Sequence, residues 1–253
     1  MRNEQQLASL GFKFGKSGAH SARSMMIEEL KVLLIAHDEN ATRAEYEDNI
    51  VNCNFLLKPT EKSRKLTFRY LVDLYGLDNN IPLFKVFREW WGLSESTQAI
   101  LALQLAVARD PLLRASTEVI LHLEPKKHLP REYMEAFLAK DDPERFSATS
   151  LRSISQNLNG TWTQAGFLSG RAKKYRVNPR VSYVNVAYAL FLGHCNGLSG
   201  QRLFDSLWCR ILSPDKEQLF ELAHNASLRG LINFKQASEI LEVTFPNIAL
   251  PEV

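Results

Sequence analysis

Cysteine is scarce in this 253-residue chain. Cys53, Cys195 and Cys209 are odd in number and widely spaced, which argues against a disulfide framework and suits a reducing cytoplasm. Long apolar runs are missing too. Residues 181–201 carry no Lys, Arg, Asp or Glu, but their apolar centre, VAYALFLG, is short. Ser182, Asn185, His194, Asn196 and Ser199 flank it, whereas a membrane span needs about 20 mostly apolar residues. A buried core helix is expected there. The N-terminal MRNEQQLASLGFKFGKSG has no apolar stretch of the kind a secretory signal carries. None of the six histidines has a Cys or His partner at metal-binding spacing, and there is no Gly-x-Ser-x-Gly and no acidic cluster of the nuclease kind. The Gly15-Lys16-Ser17 tripeptide fails as a phosphate-binding loop, because Leu10 stands where the first glycine belongs and no apolar strand precedes it. No catalytic residue, metal, cofactor or small-molecule substrate is therefore expected.

The most informative absence is of carboxylates. Glu144 and Asp205 bracket 60 residues with no acid, and these hold Arg145, Arg152, Arg171, Lys173, Lys174, Arg176, Arg180 and Arg202. Base density there is ordinary; what is unusual is that nothing offsets it. A field of one sign attracts polyanions.

What the chain does have is helical punctuation. Helices are expected from Ser21 through the run SMMIEELKVLLIAHD, from Asn40 toward Val51, from Thr60 to Gly76, from Pro82 to Gly92, from Ser94, after Pro111 and after Pro130. Polar DDPERFSATS, residues 141–150, marks a boundary between a helical bundle at 1–145 and a second domain at 146–253. In that second domain SATSLRSISQNL predicts a short helix with Leu151, Ile154 and Leu158 on one face. Asn159-Gly160 is a turn signal, Thr161 a cap for a second short helix, and SGRAKKYRVNPRVS a basic β-hairpin of two short strands around an Asn178-Pro179 turn. Helix, turn, helix, basic hairpin is the order of a winged helix-turn-helix.

The expected fold is thus mainly α, an N-terminal helical bundle followed by a winged-helix region with small β elements. The expected DNA contacts are Thr161, Trp162, Thr163 and Gln164 on the reading helix, and Arg171, Lys173, Lys174, Arg176 and Arg180 on phosphates. Many winged helices serve as protein docks, so an adaptor role stands beside duplex binding, with RNA binding by the helical half as a third reading. Further on, helices over SGQRLFDSLWCRIL and SPDKEQLFELAHNASLRG, the latter capped by Ser213 with Pro214 in its first turn, lead to a strand in SEILEVTF. That order would suit a second, more acidic winged-helix-like unit.

The stretches FLSGRAKKYRVNPR, AYALFLGHCNGLSGQRLFDSLWCRIL, LAHNASLRGLI and EVTF, with NFLLKPTEKSRKLTFRYL and AVARDPLLRAS earlier, cover most of the chain. Together they resemble the BrxA family of the bacteriophage exclusion (BREX) defence systems. The resemblance implies a small non-catalytic component of a multi-protein phage-defence system that touches double-stranded DNA and other BREX proteins. It brings no catalytic residues to carry over.

Overall fold

The computed structural model describes residues 2–212, 215–237 and 240–249. Seven helices come first: α1 Glu4–Leu10, α2 Ile27–Ile35, α3 Arg43–Val51, α4 Glu61–Tyr75, α5 Pro82–Trp90, α6 Gln98–Arg109 and α7 Pro111–His122. Local chemistry explains most of their starts. Thr42 with Glu45, and Thr60 with Ser63, form reciprocal capping boxes at α3 and α4. Pro82 and Pro111 sit in the first turns of α5 and α7, where a missing N–H costs nothing.

The expected start at Ser21 is displaced. Residues 19–21 make a single 3-10 turn, and α2 begins only at Ile27, after Met26 in the left-handed region at φ 51°. The reason is tertiary: Met25 N–H donates to Thr161 Oγ1 at 2.9 Å and Tyr75 O–H donates to the Met25 carbonyl, so the chain is held open there.

The middle of the chain alternates helices with very short strands: β1 His128–Leu129, α8 Arg131–Ala139, α9 Ala148–Gln164, β2 Leu168–Ser169 and β3 Lys174–Arg176. β3 is the central strand of an antiparallel sheet ordered β1-β3-β2, with His128 opposite Tyr175 and Leu168 opposite Arg176. The remainder is α10 Tyr183–Cys195, α11 Gln201–Phe204, α12 Leu207–Ile211, α13 Lys216–Leu228 and the hairpin β4 Asn233–Ala237 with β5 Ile240–Thr244. The tail closes with a two-stranded hairpin where a single strand was expected. α13 is capped by Asp215, accepting from Gln218 N–H at 2.8 Å, while the expected cap Ser213 and Pro214 lie outside the described residues.

The core runs through α6 and α10. Nearly every residue of both is buried, because the two helices pack on each other as well as on their neighbours. Gln104 Nε2 donates to the Asn185 carbonyl at 2.8 Å, and Tyr188 O–H to the Leu83 carbonyl at 2.9 Å. This is the fate of the uncharged run at 181–201: a 13-residue core helix. Among the described residues no helix is long and apolar enough to cross a membrane. The boundary expected at 145/146 is not a break in packing. α8 lies against α9, and α10 lies against α5 and α6.

All three cysteines are free. Burial pushes the Cys195 and Cys209 thiols up to about 12, whereas Cys53 is exposed. One thiol per chain is therefore expected to react rapidly with a disulfide reagent at pH 8, rising to three in denaturant. Rapid reaction of two or more native thiols would contradict this packing.

Candidate nucleic-acid interface

α9 decides the geometry of this region. It is one continuous helix of 17 residues, about 25 Å long, where a turn at Asn159-Gly160 was expected. Its N-terminus is capped by Ser147, which accepts from Ser150 N–H at 3.2 Å. A glycine in mid-helix costs about 1 kcal/mol against alanine. Here that cost is offset by docking. The Ser24 side chain lies against the face of Gly160, Asn157 Nδ2 donates to the His20 carbonyl at 3.1 Å, and Thr161 takes the Met25 N–H.

The inner face of α9 presents Ile154, Leu158, Thr161 and Trp162 to the core. Trp162 is fully buried, donates Nε1–H to Ser116 Oγ on α7 at 2.9 Å and packs edge-on against Phe167 at 5.2 Å. Thr161 is fully buried as well. Thr163 is half-buried and spends its hydroxyl on the Asn159 carbonyl at 2.6 Å. Of the four expected base readers only Gln164, at the C-terminal end, is exposed. The exposed face lies further back and carries Thr149, Arg152, Ser153 and Gln156. The spacing of Leu151, Ile154 and Leu158 already implied that opposite face.

A basic hairpin forms, but its turn lies between β2 and β3 at 170–173 and not at the expected Asn178-Pro179, which follow β3. Gly170 is required at its first turn position: φ is +98°, and a Cβ there would meet the Lys173 carbonyl oxygen at 2.1 Å. Arg171 and Lys173 at the tip are exposed, as is Arg180 just beyond. Lys174 is partly covered and donates Nζ–H to the Gly170 carbonyl at 2.7 Å; burial lowers its pKa. Arg176 departs from expectation. It is 3% exposed, its guanidinium lies over the Phe167 ring and donates to the Val177 carbonyl, and burial lowers its pKa. Thr161, Trp162 and Arg176 thus hold the fold, and none of the three faces solvent.

Lys126 and Lys127, just before β1, were not among the expected contacts. Both are exposed, and their backbone pairs with Arg176 at 2.7 and 2.9 Å, so they join the basic edge of the sheet. About fifty positions separate them in sequence from β3, and no local pattern links the two.

Beneath α9 lies a second feature the sequence concealed. Asp110 Oδ2 accepts from His20 Nδ1 at 2.8 Å and His20 Nε2 meets Thr161 Oγ1 at 2.7 Å, with exposures of 1%, 0% and 0%. The order carboxylate, imidazole, hydroxyl is that of an acyl-transfer triad, but substrate has no access and the hydroxyl also accepts the Met25 N–H. The cluster is a lock. It ties the 19–25 segment, the N-terminus of α7 and the C-terminal half of α9 together. Burial alone would raise the Asp110 carboxyl; the facing His20 and the backbone N–H groups of His20 and Leu113 outweigh it and hold the carboxyl below its ordinary value. Gly18 is needed beside it, since a Cβ there would sit 2.2 Å from Asp110 Oδ1.

No protein-family model matches this chain, and no curated protein matches it.

Proposed function

We propose that residues 111–177 act as a winged helix that binds double-stranded DNA, with α9 whole as the reading helix. The observation that supports this best is the element order. α7, β1, α8, α9, β2, β3 is helix, strand, helix, helix, strand, strand, with the last strand central in the sheet. This frame differs from the one the sequence suggested: it starts at α7 and takes β1 and α8 from the first half of the chain.

In this frame Arg152 and Gln156 are the base-reading candidates, suited to guanine and adenine edges, with Thr149 and Ser153 beside them. Arg171, Lys173 and Arg180 are exposed and placed to meet phosphates. The acid-free stretch from 145 to 204 supplies both sets. On the BrxA resemblance, the role is that of a non-catalytic component of a BREX phage-defence system.

Fluorescence anisotropy of duplex binding across a salt series tests the reading. The variant Arg171→Ala/Lys173→Ala/Arg180→Ala should keep its melting temperature. It should also flatten the plot of log affinity against log salt by up to about 0.9 per lost phosphate contact. Gln156→Ala should leave the slope alone and change only preference among sequences. A wild-type protein that shifts no duplex, yet retains a defence-protein partner in pull-downs, refutes DNA binding in favour of the adaptor role.

A further inference from the structure

A cleft of about 360 Å³ opens between α9 and the β-hairpin. Its walls come from four elements far apart in sequence: His128 on β1, Arg131 at the start of α8, Gln156 and Asn159 on α9, and Arg171 with Lys174 on the hairpin. Three of these side chains are cations, and among the described residues no carboxylate lines the cleft. Arg131 has its carboxylate partners outside the cleft, so an anion among the three would chiefly offset Arg171 and Lys174.

The side chains are also unevenly committed. Arg131 is steadied by Glu135, whose Oε1 lies 3.0 Å from its Nε, and by Glu132, which accepts from Nη2 at a long 3.4 Å. Lys174 is directed by its bond to the Gly170 carbonyl. Arg171 is exposed at the hairpin tip. The wall contributed by α9 holds an unmet polar group: Asn159 is 7% exposed and its buried Oδ1 has no hydrogen-bond partner. The same amide carries an N–H₂ that can be offered to an anionic oxygen in the cleft.

We propose that this cleft is a seat for one phosphate group, gripped by Arg131 and Arg171 with Lys174 and the Asn159 amide completing the shell. It rests on the DNA reading in that a backbone phosphodiester would be its usual occupant. Such a phosphate would sit between helix and hairpin and set the depth of α9 in the groove. Arg131 and Asn159 are the new members, and Arg131 lies in the part of the chain whose sequence pattern is that of the helical bundle. The hydrogen-bond geometry favours arginine over lysine at 131 and 171, since a guanidinium offers two parallel N–H groups to a phosphate.

Two measurements on the full chain test the seat. In the first, arginine Nε–Hε resonances are followed while inorganic phosphate replaces chloride at constant ionic strength. The Arg131 and Arg171 signals should move and saturate, and those of Arg152 and Arg180 should not. In the second, duplex affinity is compared for Arg131→Ala, Arg171→Ala and the double variant, all checked for unchanged melting temperature. Each single change should weaken binding roughly fivefold to tenfold. The double should cost about the same as one single, because both residues grip one phosphate. Adding Lys173→Ala to Arg171→Ala should instead multiply the two losses.

The failures are separable. A phosphate response at Arg131 and Arg171 without any duplex binding keeps the seat, assigns it to a free phosphate compound and refutes the DNA reading. Duplex binding with multiplying losses at 131 and 171, and no selective phosphate response, keeps the DNA reading and overturns the seat. Equal phosphate shifts at all exposed arginines overturn it as well.

Discussion

Trp162→Ala is expected to destabilise the whole protein by about 3–5 kcal/mol, the range for emptying a buried aromatic site. For a chain of this size that is a fall in melting temperature of roughly 6–20 °C. Three losses combine. The indole is fully buried, the bond its N–H donates to Ser116 Oγ is lost, and its edge-on contact with Phe167 disappears. Phe167 in turn supports the guanidinium of Arg176 in β3, so the hairpin should loosen with the core. Gln164→Ala, two positions on and exposed, should stay within about 0.5 kcal/mol of wild type. Urea unfolding of the pair decides the matter. If Trp162→Ala cost less than about 1 kcal/mol, α9 could not be seated as described and the reading face assigned to Thr149, Arg152, Ser153 and Gln156 would be wrong.

The second large effect belongs to the lock under α9. Thr161→Val keeps the shape of the side chain and removes the oxygen. That strands two buried polar groups at once, His20 Nε2 and the Met25 N–H. Each unpaired buried group costs about 1–3 kcal/mol, so a loss of about 2–6 kcal/mol is expected. Thr161→Ser, which restores the hydroxyl, should recover most of it. A Thr161→Val protein as stable as Thr161→Ser would show that the hydroxyl has no such role.

The lock also carries a pH signature. Asp110 is held below its ordinary value, so the folded state binds this proton less readily than the unfolded chain does. Its contribution is complete above the unfolded pKa of about 4 and is lost as pH falls through the lower folded value. Unfolding free energy measured from pH 6 downward should therefore drop more steeply below about pH 4 in wild type than in Asp110→Asn. The variant should start from lower stability, because its amide cannot reproduce the acceptance from His20 and from the α7 backbone.

Read alone, the sequence determined the helical character, most helix starts and the sign of the charge in the middle of the chain. The physical reason is that these are local. Thr42 meets Glu45 and Thr60 meets Ser63 within one turn, and proline restricts only its own neighbourhood. That a basic hairpin forms in this stretch was legible for the same cause, although its turn falls at Gly170 and not at Asn178-Pro179. Even the exposed face of α9 was implicit in the spacing of Leu151, Ile154 and Leu158.

Tertiary structure decided what those pieces became. Whether α9 broke at Asn159-Gly160 depended on His20, Ser24 and Met25, and the bond from His20 to Thr161 spans 141 positions. The roles of Thr161, Trp162 and Arg176 were set by His20 with Met25, by Ser116 and by Ile120, which a local pattern does not connect with them. β1, two residues long, exists as a strand only because β3 lies beside it. A turn dipeptide biases its own backbone by about a kilocalorie per mole, whereas a buried side chain with its hydrogen bonds commits several. Where the two disagreed, burial outweighed the local bias, and the chain became one long helix with its polar face outward.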